Sequence, residues 1–150
     1  MIILGNSTTE KGFNDWGNLY NLVEVDLIKY PKINLMVQIK NDIAQGKTIN
    51  LVSYKTLANN KDNYFVNPNE INQLGYQYLN QNETQKSISL FNLFVSLFPE
   101  NANAYDSLGE AYFIHKDYKN ALKNYKQSLV LHPKNTNAEQ FINKINALIK

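Results

Sequence analysis

Residues 101–135 read NANAYDSLGEAYFIHKDYKNALKNYKQSLVLHPKN, and the fold turns on that stretch. Asn101 or Asn103 can cap a helix whose apolar residues recur at steps of three and four to about Ile114. Asp117 caps a second helix that ends before Pro133. One period upstream the same letters return. Leu74 and Leu108, Gly75 and Gly109, Tyr78 and Tyr112, Phe91 and Tyr125, and Pro99 and Pro133 each lie 34 residues apart. The glycines lack a Cβ, so the two helices of a pair can approach closely there. Leu74, Tyr78, Leu108 and Tyr112 occupy one face of their helices and meet Phe91 and Tyr125 from the second helix of each pair.

A 34-residue helix–turn–helix period with Leu-Gly-x-x-Tyr, an aromatic and then Pro resembles the tetratricopeptide repeat. The copy over 102–135 carries Tyr105, Leu108, Gly109, Tyr112, Ala121, Tyr125, Ser128 and Pro133. The copy over 68–101 carries Ile71, Leu74, Gly75, Tyr78, Ser87, Phe91, Phe94 and Pro99, and Phe94 stands where the family places a small residue. The resemblance implies an all-α solenoid of helical hairpins. It also implies a concave face for a protein or peptide partner, lined by Asn69, Asn72, Tyr76 and Leu79 and by Asn103, Asp106, Glu110 and Phe113. That face is neutral to acidic, which suits a neutral or basic segment. One hairpin cannot cover its own apolar face. Caps are therefore expected on both sides.

On the upstream side, Leu35, Met36, Ile39 and Ile43 predict a helix from about Ile33 to Ala44, closed by Gly46. Thr48 caps the next helix, with Leu51, Tyr54 and Leu57 inward. The two read as an antiparallel hairpin, a degenerate third copy over 31–64. Asn59–Asn67 reads as a loop, and Asn67-Pro68-Asn69-Glu70 as a strong helix start. On the downstream side, a helix from about Asn137 to Ile149 turns Phe141, Ile142, Ile145 and Leu148 inward.

Residues 1–30 differ in character. Met1–Leu4 reads as a short buried strand, with no later strand in the chain for it to join. Ser7-Thr8-Thr9-Glu10 has capping-box spacing, and Phe13, Trp16, Tyr20, Val23 and Leu27 form a helical stripe ended by Tyr30-Pro31. A strand ending in Leu4-Gly5-Asn6-Ser7, a helix and a Tyr-Pro turn resemble the carboxyl-terminal end of penicillin-binding-protein-like serine hydrolases, the β-lactamase-related superfamily. In some bacterial members that end is followed by tetratricopeptide repeats. The resemblance implies that these residues close an upstream domain, with the repeats as its appendage. The chain would then be extracytoplasmic, and otherwise cytoplasmic.

Composition narrows the functions. The chain has 150 residues and a net charge of +2, and its 15 basic residues are all Lys. The balance is even along the chain, with 7 Lys against 6 acids over residues 1–66 and 8 against 7 over 67–150. Without Arg there is no guanidinium fork for phosphate or guanine, which argues against a nucleic-acid partner. With no Cys, thiolate catalysis and cysteine zinc sites are excluded. No apolar run approaches the roughly 20 residues that span a bilayer. The 24 Asn residues are spread through helical patterns rather than gathered in a tract.

Catalytic chemistry finds little footing. The hydrolase superfamily needs Ser-x-x-Lys and a Lys-Thr-Gly or His-x-Gly strand, and neither occurs, since Lys47-Thr48 is followed by Ile49. Tyr78-Leu79-Asn80 and Tyr118-Lys119-Asn120 match Tyr-x-Asn by letter alone. His115 and His132 fall at helix carboxyl ends, where a cation is favourable. Asp106 and Glu110 are four apart on one helix face without a third ligand. The expectation is a non-catalytic interaction module without metal or cofactor. The alternative is the carboxyl-terminal fragment of a β-lactamase-related hydrolase whose catalytic domain lies upstream.

Overall fold

The computed structural model describes residues 32–150. The Met1–Leu4 strand, the helix behind Ser7 and the hydrolase-like segment 1–30 lie outside the described residues. Residues 33–150 are mostly helical. A strand β1 (Ile33–Asn34) leads into α1 (Leu35–Ala44) and α2 (Leu51–Asn59), and β2 (Tyr64–Phe65) follows. Then come α3 (Pro68–Asn80), α4 (Thr84–Leu97), α5 (Ala102–Ile114), α6 (Tyr118–Leu131) and α7 (Thr136–Leu148). The all-α reading holds, with seven helices among the described residues.

The helix starts keep the period. Asn34, Asn67, Asn101 and Asn135 cap α1, α3, α5 and α7, each accepting from an amide of the first turn. An Asn side chain satisfies one of the orphan N–H groups there. Asn50 and Asp117 do the same for α2 and α6. The Asp117 carboxylate also accepts from the Asn120 side chain, and the two Asn120 bonds hold its pKa below the usual carboxylate range.

The first helix of each pair ends alike. Gly46, Asn82 and Lys116 have φ of +75°, +61° and +63°. At each, the N–H of that residue and of the next fold back onto carbonyls of the last turn. Asn82 N donates to Leu79 O at 3.1 Å and Glu83 N to Tyr78 O at 2.9 Å, and Lys116 and Asp117 repeat the pattern. This is a Schellman ending, whose left-handed position favours glycine. Lys116 holds it against its own Cβ, so Lys116→Gly is expected to stabilise the fold by about 0.5–1 kcal/mol. A thermal melt checks this, and an unchanged or lower Tm contradicts it.

Several boundaries differ from the sequence reading. The first helix begins at Leu35, because Ile33 and Asn34 are extended and pair in parallel with Tyr64 and Phe65. So the segment read as a loop over Asn59–Asn67 contains a strand, and strands do occur after residue 4. The pair joins the start of α1 to the segment that follows α2, helped by Ile33 N donating to Asn63 O at 2.7 Å. Asn50 rather than Thr48 caps α2. Leu51, at the first position of that helix, faces outward and is exposed, whereas Tyr54 is buried. The last helix starts at Thr136, and Leu148 in its final turn is 55% exposed.

Burial concentrates where the period predicts. Leu35, Met36, Ile39 and Ile43 of α1 join Ile71, Leu74, Phe91, Leu93, Phe94 and Leu108 in one core. Ala121, Tyr125, Ala138 and Ile145 form a second, and Tyr112 packs against both. Each fully buried side chain of that size contributes about 1.5–3 kcal/mol before entropy. The departure at Phe94 has a packing reason. Helix α4 packs on α2, α3 and α5, so it buries Leu90, Phe91, Leu93 and Phe94 around more than one face. Its counterpart α6 packs chiefly on α5 and α7 and carries Ser128 at that position. There the hydroxyl donates to Ala102 O at 2.9 Å.

Candidate functional site

The two glycines explain how the hairpins close. A Cβ built at Gly109 would lie 3.0 Å from Tyr125 Cδ1 and Cγ. At Gly75 it would lie 2.6 Å from Phe91 Cζ, with Cε1 closer still. Both rings are fully buried against these helices. Tyr105 is half-buried, while Leu74, Leu108 and Ala121 are buried. Tyr78 is half-buried beneath Lys86 Nζ, 5.1 Å from its ring centre. Pro99 and Pro133 are exposed and act as helix stops rather than as packing groups.

With the hairpins closed, α3, α5 and α7 present side chains to one another at the period of the repeat. Ser107 Oγ donates to Asn72 Oδ1 at 2.8 Å, and Tyr76 Oη donates to Glu110 Oε2 at 2.8 Å. Tyr76 and Glu110 occupy the same repeat position in successive copies. Asn135 Nδ2 donates to Asp106 Oδ1 and Asn137 Nδ2 to Asp106 Oδ2, both at 2.8 Å. At the upstream end, Asn34 Nδ2 donates to Glu70 Oε1 at 3.0 Å, tying α1 to α3. Glu70 is thus turned toward α1, where Lys40 also lies 3.8 Å away.

Of the eight residues assigned to the face, Asn72, Tyr76, Asp106 and Glu110 are brought together by these bonds. Asn69 and Asn103 are exposed, and among the described residues their side-chain amides make no hydrogen bond. Of the remaining two, Leu79 is buried and Phe113 is half-buried. Leu79 is 7% exposed and belongs to the core. Phe113, one period later, meets Phe141 edge-on at 5.0 Å and Tyr118 at 5.8 Å, and Lys144 Nζ lies 4.9 Å from its ring centre.

The electrostatics of the face follow from burial. Burial pushes the Tyr76 hydroxyl well above its ordinary pKa, and the Glu110 charge adds to the shift, so it remains a neutral donor. Tyr125 is shifted upward for the same reason, with Glu110 and Asp106 as the charges acting on it. Its hydroxyl is buried and has no hydrogen-bond partner. Asn135 and Asn137 were missed at their true roles. The 34-residue spacing from Asn67 and Asn101 points to Asn135 as the cap, although nothing in that spacing signals its bonds to Asp106 and Ser128.

Other chemistry is thinly supplied. Among the described residues no three His, Asp or Glu side chains gather as a metal site would require. No described helix is long and apolar enough to cross a membrane. His115 and His132 cap the carboxyl ends of α5 and α6, with His115 Nε2 3.0 Å from Gln85 Nε2. The tyrosines of the two Tyr-x-Asn triplets are engaged in packing, Tyr78 under Lys86 and Tyr118 beside Phe113.

Residues 102–135, the span of α5, the turn and α6 with its stop at Pro133, match the family model for the tetratricopeptide repeat. No curated protein matches the chain.

Proposed function

We propose that the chain is a non-catalytic interaction module that receives a peptide segment of another protein, or of another domain of its own parent, on the face built by α3, α5 and α7. The coarser part, a protein–protein interaction module, follows from the tetratricopeptide repeat at 102–135. The finer part is carried by one observation. The face is polar and partly buried, yet it keeps uncommitted donors and acceptors at Asn69 and Asn103, one period apart. A primary amide both donates and accepts, which is what an extended backbone requires. Two such amides at equal repeat positions can hold a segment running across successive first helices.

The copies at 68–101 and 102–135, the hairpin over 31–64 as a third and degenerate copy, and the last helix as a cap complete this reading. The helix starts at Asn34, Asn67, Asn101 and Asn135 support it. So does the polar outer side of α7, where Glu139, Gln140, Asn143 and Asn146 are exposed. Site-specific photo-crosslinking tests the face. A benzophenone side chain at position 69 or 103 is expected to capture a binding protein, whereas one at exposed Lys126 on α6 is not. Capture from position 126 with none from 69 and 103 contradicts the proposal.

A further inference from the structure

Helix α6 carries lysines that the repeat does not ask for. Over residues 116–134 the chain has five lysines against the single carboxylate of Asp117. The same span one period earlier, residues 82–100, has one lysine against two glutamates. Lys119, Lys123 and Lys126 stand where α4 has Gln85, Ser89 and Asn92, and Val130 stands where it has Ser96. Both copies close the same kind of hairpin, so nothing in the pairing of the helices requires these charges.

Steps of four, three and four put Lys119, Lys123, Lys126 and Val130 in one line along the helix, about 16 Å from end to end. All four are exposed, Val130 to 72%. Helix α6 packs chiefly on α5 and α7, whereas α4 has α2 against it as well. Lys116 and Lys134, just beyond the two ends of α6, are exposed too. The ion pairs among the described residues lie elsewhere, at Lys40–Glu70, Lys47–Asp42 and Lys86–Glu83. Asp117, next to the stripe, accepts from the backbone and side-chain amides of Asn120. A line of ammoniums thus faces outward without a described counter-charge, and an exposed aliphatic side chain continues it.

We propose that this side of α6 docks on an anionic phospholipid surface, with the lysines against the headgroups and Val130 entering the boundary beneath them. Charge complementarity selects an anionic partner, and three features select a bilayer. Clusters of about four to eight basic residues on a helix are drawn to anionic headgroups, and the span 116–134 has five. Lysine ammoniums are compact point charges that suit a diffuse layer of phosphates. The guanidinium fork that would read a nucleic acid or a single fixed carboxylate is absent from the chain. The third feature is Val130, since an exposed valine gains from hydrocarbon and gains nothing from a carboxylate. This surface stands apart from the proposed face on α3, α5 and α7, and failure of either leaves the other intact.

The test is co-sedimentation of the full chain with vesicles of phosphatidylcholine, alone or mixed with phosphatidylglycerol or phosphatidylserine. At low salt the chain is expected to bind either anionic mixture about tenfold tighter or more than phosphatidylcholine, and to lose that preference at about 0.5 M salt. The triple variant Lys119→Gln/Lys123→Gln/Lys126→Gln is expected to weaken binding about tenfold or more at unchanged Tm, since Lys and Gln have similar helix propensity. Val130→Ser, the residue of the other copy, is expected to weaken it about twofold or more. Lys40→Gln/Lys55→Gln/Lys61→Gln removes the same charge from other exposed positions and is expected to leave binding within about twofold. Equal loss in the two triple variants overturns the proposal, because net charge alone would then hold the chain. Equal binding to neutral vesicles overturns it as well. Release from anionic vesicles by polyglutamate at matched charge would assign the stripe to an acidic protein segment and overturn the bilayer as its partner.

Discussion

A Gly75→Leu chain is expected to lose its cooperative thermal transition, and Gly75→Ala to lower stability by about 2–3 kcal/mol, roughly 10 °C in Tm. The reason lies in one contact. A Cβ at Gly75 falls 2.6 Å from Phe91 Cζ, and that ring is wholly buried and cannot swing aside. Alanine gains about 1 kcal/mol of helix propensity over glycine, so the overlap must exceed that gain for the loss to appear. At Gly109 the corresponding distance is 3.0 Å, tight but open to a shift of a few tenths of an ångström. There the two terms nearly cancel, and Gly109→Ala is expected to stay within about 1 kcal/mol of the parent. Gly109→Leu has no such relief and is expected to wedge α5 from α6. Pairing Gly75→Ala with Phe91→Leu should recover part of the loss, a coupling of about 1 kcal/mol or more by double-mutant cycle. A Gly75→Ala chain as stable as the parent would mean that the ring does not pack over residue 75.

The second large effect belongs to Tyr125. Its ring is fully buried, stacks on Phe141 at 5.1 Å and 14°, and closes the hairpin against Gly109. Tyr125→Ala is expected to cost about 3–5 kcal/mol and to loosen α7 as well as the α5–α6 pair. Tyr125→Phe keeps the ring and removes a buried hydroxyl that has no partner. It is expected to be neutral or stabilising by about 1 kcal/mol. The measurement is denaturant unfolding of both variants. A Phe variant that loses as much as the Ala variant would show that the hydroxyl is bonded.

What could be read from the letters is what the period amplifies. Leu74, Gly75, Tyr78 and Phe91 against Leu108, Gly109, Tyr112 and Tyr125 located the helix pairs and their contact faces. Pro68, Asn101, Asp117 and Pro133 set their ends. The strand pair at Ile33 and Tyr64 was not legible, because two residues carry no alternation and the partner lies thirty-one positions away. Leu51 and Leu148 sit in the terminal turns of their helices, where helical phase continues but the neighbouring helix does not.

The proposed face was legible as a set of positions and not as a set of bonds. Repeat phase placed Asn72, Tyr76, Asp106 and Glu110 on one side. That Tyr76 reaches Glu110, or that Asn135 and Asn137 divide the oxygens of Asp106, depends on the offset between first helices of successive pairs, which no single repeat encodes. Leu79 and Phe113 share a repeat position near the helix end, where Leu79 is buried and Phe113 half-buried. Leu79 is taken into the core, and Phe113 lies against Phe141 and Lys144 of the last helix.

The most direct test of the account is the proton NMR environment of the two helical glycines. The close approach of α3 to α4 and of α5 to α6 puts the Hα protons of Gly75 over the Phe91 ring and those of Gly109 over the Tyr125 ring. Strong cross-relaxation from each glycine to its own ring, with ring-current displacement of both Hα pairs, is the predicted result. Gly46, with nothing within 4 Å of its Cβ direction, should show neither and serves as the internal control. Random-coil Hα shifts at Gly75 and Gly109, without contacts to Phe91 and Tyr125, would contradict the paired-helix repeat on which the proposed binding face depends.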